Sequence, residues 1–142
     1  MLALGLPGDP IGDMWRLGDL LREYRGDSHT ASWVSAGFDA TEIGLLTELY
    51  WGLPLRTYVR SRAWSDADLD AAEARLTDRR LIAGGAFTDE GRAAREAVEA
   101  ATDRACSPIA TNLGDDLGEL VEILSSWSGA IQACLLYTSR CV

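Results

Sequence analysis

The sequence predicts a mostly α-helical fold with one small hairpin, and three stretches predict it. In Ser65–Arg80, Leu69, Ala72 and Leu76 fall at i, i+3 and i+7, the buried stripe of a helix. Leu81-Ile82 and Ala86-Phe87 flank Ala83-Gly84-Gly85, a short hairpin signal. Leu113, Leu117, Leu120, Leu124, Trp127 and Ile131 are spaced 4, 3, 4, 3, 4, a heptad seam thickened by Val121. Ser65 suits an N-cap, with Asp66 and Asp68 in the first turn, where the helix dipole favours acids. Thr88 suits the cap of the following helix, with Asp89 and Glu90 behind it. Helix, small hairpin, long helix is the order in which a winged helix-turn-helix ends. The expected architecture is therefore a winged helix-turn-helix with a small two-stranded wing and flanking long helices.

The other elements follow in order. Residues 1–13 are rich in Gly and Pro and read as a flexible arm. A first helix is expected from Met14 to Tyr24, with Leu17, Leu20, Leu21 and Tyr24 on one face. Arg25-Gly26-Asp27-Ser28 reads as a helix stop followed by a new N-cap, and a short helix through Trp33 and Val34 ends at Gly37. Asp39 caps a helix from Ala40 to about Trp51, whose inner side is Ile43, Leu46, Leu49, Tyr50 and Leu53. Pro54 is placed to start a helix running to about Ala63, with Arg56, Arg60 and Arg62 as its charges. The helix opening at Asp89 is expected to break at Ser107-Pro108 and to bury Ala94, Ala97, Val98, Ala101 and Ala105. The last helix begins near Asp115. These elements make one expected domain over residues 14–133.

Composition narrows the function classes. The chain has 142 residues and a formal net charge of −9, from 13 Lys+Arg against 22 Asp+Glu. That length supports one real core, and that charge argues against a broad nucleic-acid-binding face. No run of apolar residues reaches membrane-spanning length. The opening segment lacks a basic n-region and is interrupted by Pro7 and Pro10, so a secretory signal is not expected and a cytoplasmic location is. Cys134 and Cys141 fall in CLLYTSRCV, and CLLYTS matches one reading frame of a widely used transposon mosaic end. Residues 134–142 are accordingly expected to be an adaptor or read-through artefact outside the fold. Cys106 is then a single thiol, so no disulfide framework and no metal site is expected. No cofactor motif is present: Gly84-Gly85 lacks the Lys-Ser/Thr of a phosphate loop.

LLREYRGDSHTASWVSAG, WSDADLDAAEARLTDRRLI and GAFTDEGRAAREAVEAATDRA, over about residues 15–131, together resemble a family of actinobacterial helix-turn-helix proteins. Its members carry an R-E-x-R-G-D-x-H motif at the end of a leucine-rich helix, then a segment similar to MarR-type winged-helix regulators. Here that motif spans Arg22–His29, and a later E-x-x-T-D falls at Glu99–Asp103. The resemblance implies a winged-helix regulator by descent and a chain equivalent to the C-terminal portion of longer relatives. It also implies dimerisation through terminal helices, which fits the heptad helix Leu113–Ile131 as the surface of a homodimer.

On the MarR-like reading Pro54–Ala63 supports and Ser65–Arg80 recognises DNA. Its leading half holds Asp66, Asp68, Asp70 and Glu73 and no cation, and the wing is uncharged. Phosphate contact comes from Lys and Arg, so these acids oppose it. Arg56, Arg60, Arg62, Arg75, Arg79 and Arg80 are the candidate DNA-binding residues; their bland alternative is ion pairing with neighbouring acids.

The densest polar cluster is Arg22, Glu23, Arg25, Asp27 and His29, the chain's single histidine. Three adjacent residues on one turn do not make a catalytic triad, and a single His makes a poor metal site, so no enzyme activity is expected. The functional reading is a site for a small anionic or polar ligand. It is formed by Arg22, Arg25, Asp27 and His29 and completed by Glu99, Thr102 and Asp103. The plain alternative is helix punctuation by Gly26-Asp27-Ser28 with local pairing of Arg25. Two functions are thus in view: a DNA-binding regulator, and a winged-helix scaffold without DNA binding that serves as a small-ligand or protein-interaction module.

Overall fold

A computed structural model describes residues 5–133. The adaptor-like tail, with Cys134 and Cys141, lies outside the described residues, as does the start of the expected arm. Two compact units divide the chain between Cys106 and Ser107.

The first unit holds the winged helix-turn-helix. Its elements are α1 (Pro10–Ser35), α2 (Ala40–Tyr50), a 3₁₀ turn (Val59–Arg62), α3 (Asp66–Asp78), β1 (Ile82–Ala83), β2 (Ala86–Phe87) and most of α4 (Asp89–Leu113). β1 and β2 pair antiparallel, Ile82 opposite Phe87 and Ala83 opposite Ala86, and Gly84 and Gly85 turn between them at positive φ. Both expected caps are in place as capping boxes: Asp39 with Glu42 on α2, and Ser65 with Asp68 on α3. Thr88 Oγ1 accepts the Gly91 N–H at the head of α4.

The core is Leu45, Leu46, Val59, Leu69, Ala72, Leu76 and Val98, all fully or nearly buried, with Phe38, Ile43, Leu81 and Ile82 around them. It sits where α2, α3, the hairpin and α4 converge. The expected α3 stripe is the buried one. Gly91 lets α4 meet the hairpin: a Cβ there would lie 1.8 Å from the Leu81 carbonyl oxygen.

Five local expectations are corrected. The stop at Arg25–Ser28 is absent, and α1 runs through it as one 26-residue helix capped by Asp9. Interior glycine costs about 1 kcal/mol, but Tyr24, Arg25 and His29 on this turn all contact α4, and tertiary contact overrides propensity. The start of α1 at Pro10 also brings the last residues of the expected arm into helix.

The helix from Pro54 to Ala63 is reduced to the 3₁₀ turn. Glu48 is fully buried on α2 and accepts the backbone N–H of Arg56 at 2.7 Å and of Val59 at 2.6 Å. A helix would have spent the Val59 N–H on the Leu55 carbonyl.

α4 continues past Ser107-Pro108, with Pro108 inside it; one proline removes a single intrahelical bond and leaves the flanking turns free to stay helical. Its buried stripe is Gly91, Arg95, Val98 and Thr102 rather than the alanines, of which Ala97 and Ala105 are exposed.

The second unit holds the end of α4, a turn at Gly114 with positive φ, and α5 (Asp116–Ala133). Val121, Leu124, Trp127 and Ile131 on the heptad face of α5 are exposed. Among the described residues, no helix is long and apolar enough to cross a membrane, and no cluster of His, Cys, Asp and Glu could hold a metal ion.

Candidate functional site

The first unit contains a cleft of about 730 Å³, within the range of small-molecule sites. One wall comes from α1, through Arg25, His29 and Trp33; α4 adds Arg95 and Glu99, and α2 adds Thr47 and Tyr50. Trp51, Tyr58 and Trp64 complete an aromatic lining together with Trp33 and Tyr50.

A charge cluster occupies the α1–α4 side. Arg95 is only 3% exposed. Its Nη1 donates to Glu99 Oε1 at 2.5 Å, its Nη2 reaches Thr47 Oγ1 at 3.4 Å, and its guanidinium lies 4.7 Å from the centre of the Tyr50 ring. Arg25 Nη2 donates to the other Glu99 oxygen at 2.9 Å. Glu99 therefore bridges two guanidiniums. Burial pushes the Glu99 carboxyl up, but the Arg95 hydrogen bond and the charges of Arg95 and Arg25 bring it below its ordinary value.

His29 is held in one tautomer. Thr102 Oγ1 donates its proton to the Val98 carbonyl at 2.8 Å. Its contact with His29 Nδ1 at 3.1 Å thus has Nδ1 as the donor. Burial, then the positive charges of Arg95 and Arg25, lowers the His29 pKa against the opposing pull of Glu99. At neutral pH the ring is uncharged and Nε2 is a hydrogen-bond acceptor without a partner among the described residues.

Of the ligand-site residues expected from sequence, the structure brings Arg25, His29 and Glu99 together, with Thr102 behind them. Arg22 is exposed and pairs with Asp19 at 2.8 Å and with Glu23. Asp27 and Asp103 are exposed and do not line the cleft. Arg95, Tyr50 and the three tryptophans were not singled out from sequence. The signal for Arg95 was present: it stands at i−4 to Glu99 and in phase with Val98 and Thr102.

The six arginines considered for DNA are mostly engaged. Arg56 donates to Glu73 at 2.5 Å and to Asp70 at 2.7 Å, and these hydrogen bonds hold its guanidinium above its ordinary pKa. Arg60 pairs with Asp66 at 3.1 Å. Arg75 pairs with Glu42 and Asp39, and Arg79 with Glu42 and the Gly37 carbonyl. Arg62 donates to the Tyr58 hydroxyl and lies over its ring at the cleft wall. Arg80 closes the α3 turn at φ 58 and makes no ion pair among the described residues. Asp66 and Asp70 face outward, about two-thirds exposed.

A family model described as a helix-turn-helix family matches residues 1–137. This chain belongs to that helix-turn-helix family. No curated protein and no solved structure matches it. The 3₁₀ turn stands before α3 where the sequence predicts a helix from Pro54. The cleft lies on the side of that turn, bounded by α1, α2 and α4.

Proposed function

We propose that this protein is a winged-helix scaffold that works as a small-ligand-binding module, with the cleft as its site. The observation that carries this reading is Arg95: a buried cation, incompletely satisfied, at the wall of an aromatic-lined cleft. Its Nε is the one buried side-chain nitrogen or oxygen without a hydrogen-bond partner among the described residues. Such a donor costs about 1–3 kcal/mol, and a buried polar group left unsatisfied in a native structure calls for an explanation, of which a functional role is one. The pairing of Arg56, Arg60 and Arg75 with acids supports the same reading, because paired guanidiniums have less to offer phosphates.

Membership of the helix-turn-helix family favours a second reading, a MarR-like transcriptional regulator that binds DNA through α3. Both readings place the protein in the cytoplasm and allow a homodimer through the heptad face of α5.

Thermal unfolding against a charge-diverse library of small aromatic compounds tests the first reading. A ligand that binds only the native state raises Tm. At least one compound should do so in wild type and fail to do so in His29→Ala. No response to any compound overturns the reading.

A further inference from the structure

Gly26-Asp27-Ser28 lies in the middle of α1, although its residue types end one helix and begin another. Before it, Arg22 and Arg25 are placed for a helix C-terminus, where the dipole favours cations. Gly26 suits the left-handed position that follows such an end. Asp27 suits the N-cap of a second helix; it is exposed and makes no hydrogen bond or ion pair among the described residues. Conflict between local preference and observed structure is expected where function is built in.

The two halves of α1 are held differently. The half after Ser28 is anchored. Trp33 packs on the core, Phe38 is buried, and Gly37 at positive φ closes the helix. There the Gly37 N–H donates to the Val34 carbonyl and the Phe38 N–H to the Trp33 carbonyl, both at 3.0 Å. The half before Gly26 leaves Ile11, Met14, Trp15, Leu17 and Leu21 exposed, and α1 buries none of its residues. Tyr24 and Arg25 tie that half to α4: the Tyr24 hydroxyl donates to the Ala105 carbonyl at 3.3 Å, and Arg25 holds Glu99.

We propose that α1 is a two-state element: a single helix while Arg25 holds Glu99, and two helices jointed at Gly26-Asp27-Ser28 once Glu99 exchanges Arg25 for His29. In the jointed state Pro10–Arg25 leaves α4 and takes Arg25 off the cleft wall, while His29 and Trp33 stay. Glu99 is within reach of the exchange, since its Oε1 lies 3.8 Å from His29 Nδ1. The His29 ring faces Arg25 from its own helix and Arg95, Glu99 and Thr102 from α4; Thr47 and Tyr50 of α2 and Arg62 also line the cleft. Burial and the two guanidiniums disfavour a charged ring. His29 therefore takes a proton more readily once Arg25 has gone, and acid favours the jointed state. That this opens a ligand site rests on the reading above; the joint itself is measured without a ligand.

The test is amide hydrogen exchange by NMR on the full chain, with rates corrected for their intrinsic pH dependence. Opening at the joint frees the Asp27 and Ser28 N–H groups, which a continuous helix bonds to the Glu23 and Tyr24 carbonyls. From neutral pH to about pH 5.5, across the range where histidine charges, their protection should fall at least three-fold. Protection of Val34, Ser35 and the amides of α2 and α3 should not change. Arg25→Gln should lower protection of Asp27 and Ser28 at least three-fold at neutral pH. Gly26→Ala, whose Cβ meets nothing within 4 Å, should raise it at least three-fold. His29→Gln should remove the acid response. An equal fall in all helices is general loosening and overturns the joint. Protection unchanged by Arg25→Gln overturns the latch. No acid response, or one that persists in His29→Gln, overturns the exchange with His29. None of these outcomes involves a ligand, so the library screen above stands or falls separately.

Discussion

Glu48 and Val59, eleven positions apart, are joined by a hydrogen bond of 2.6 Å in which a fully buried carboxylate accepts a buried backbone N–H. The second oxygen accepts the Arg56 N–H. One side chain on α2 thereby fixes the whole connection to α3 and seats Val59 in the core. Hydrogen bonds to charged groups contribute about 1.5–3 kcal/mol each, and a buried donor left unpaired costs about as much. Glu48→Ala should therefore destabilise the protein by about 3–5 kcal/mol, measured by urea unfolding. A loss below about 1 kcal/mol would show that water takes over both N–H groups.

Glycine positions should divide by what surrounds them. At Gly91 a Cβ collides with the Leu81 carbonyl, which also accepts the Thr88 N–H. Gly91→Ala should cost about 1–3 kcal/mol or more. At Gly129, inside α5, a Cβ meets nothing within 4 Å, and Gly129→Ala should add about 0.5–1 kcal/mol of helix stability. Thermal unfolding of the two variants gives opposite shifts in Tm, and a common sign contradicts the packing at Gly91.

The elements that local chemistry specifies were legible in the sequence. Asp39 and Ser65 cap α2 and α3 as their residue types demand, and the Leu69–Leu76 stripe faces the core. What the sequence hid depends on partners far along the chain. Gly26-Asp27-Ser28 has every mark of a helix stop, but contacts to α4 more than seventy residues away hold it helical. Pro54 has every mark of a helix start, but Glu48 claims the Val59 N–H that such a helix would spend on the Leu55 carbonyl. The alanines of α4 suggested its inner face, whereas the helix turns Gly91 and Arg95 inward. A buried arginine runs against composition-based expectation, so half of the cleft was visible, as Arg25, His29 and Glu99, and its central cation was not.

Acid should destabilise the protein in two steps. The folded His29 pKa lies below its ordinary 6.5, so as pH falls through that value the unfolded chain binds the proton first and stability drops. Glu99 is likewise held below its ordinary 4.5, so its contribution is present above that value and is lost as pH falls through the folded pKa. Tm should be flat above neutrality, begin to fall below about pH 6.5, and fall further below about pH 4.5. His29→Gln should remove the first step and keep the second. Persistence of the first step in that variant would assign it to another group.

Self-association should depend on α5. Val121, Leu124, Trp127 and Ile131 form an exposed apolar row, and α5 carries Asp116, Glu119 and Glu122 without a basic residue. Sedimentation at micromolar concentration should give a dimer that tightens with salt, because salt screens the like charges. Leu124→Glu should weaken it at least ten-fold. A wild-type monomer across that range removes the dimer.

The ion pairs on α3 make DNA binding a question of which charges are free. Asp70 and Glu73 together engage Arg56, and Asp66 engages Arg60. Wild-type protein should not retard a non-specific duplex at low salt. Asp70→Asn combined with Glu73→Gln removes two negative charges and releases Arg56, and this variant should retard the same duplex. Its salt dependence should steepen by about one unit in the log–log slope for each phosphate newly contacted. Arg56→Gln added to that variant should abolish the gain. If wild type and the released variant retard the duplex equally, the pairing with Asp70 and Glu73 does not withhold Arg56 from phosphate. The MarR-like regulator then becomes the better account of this helix-turn-helix protein.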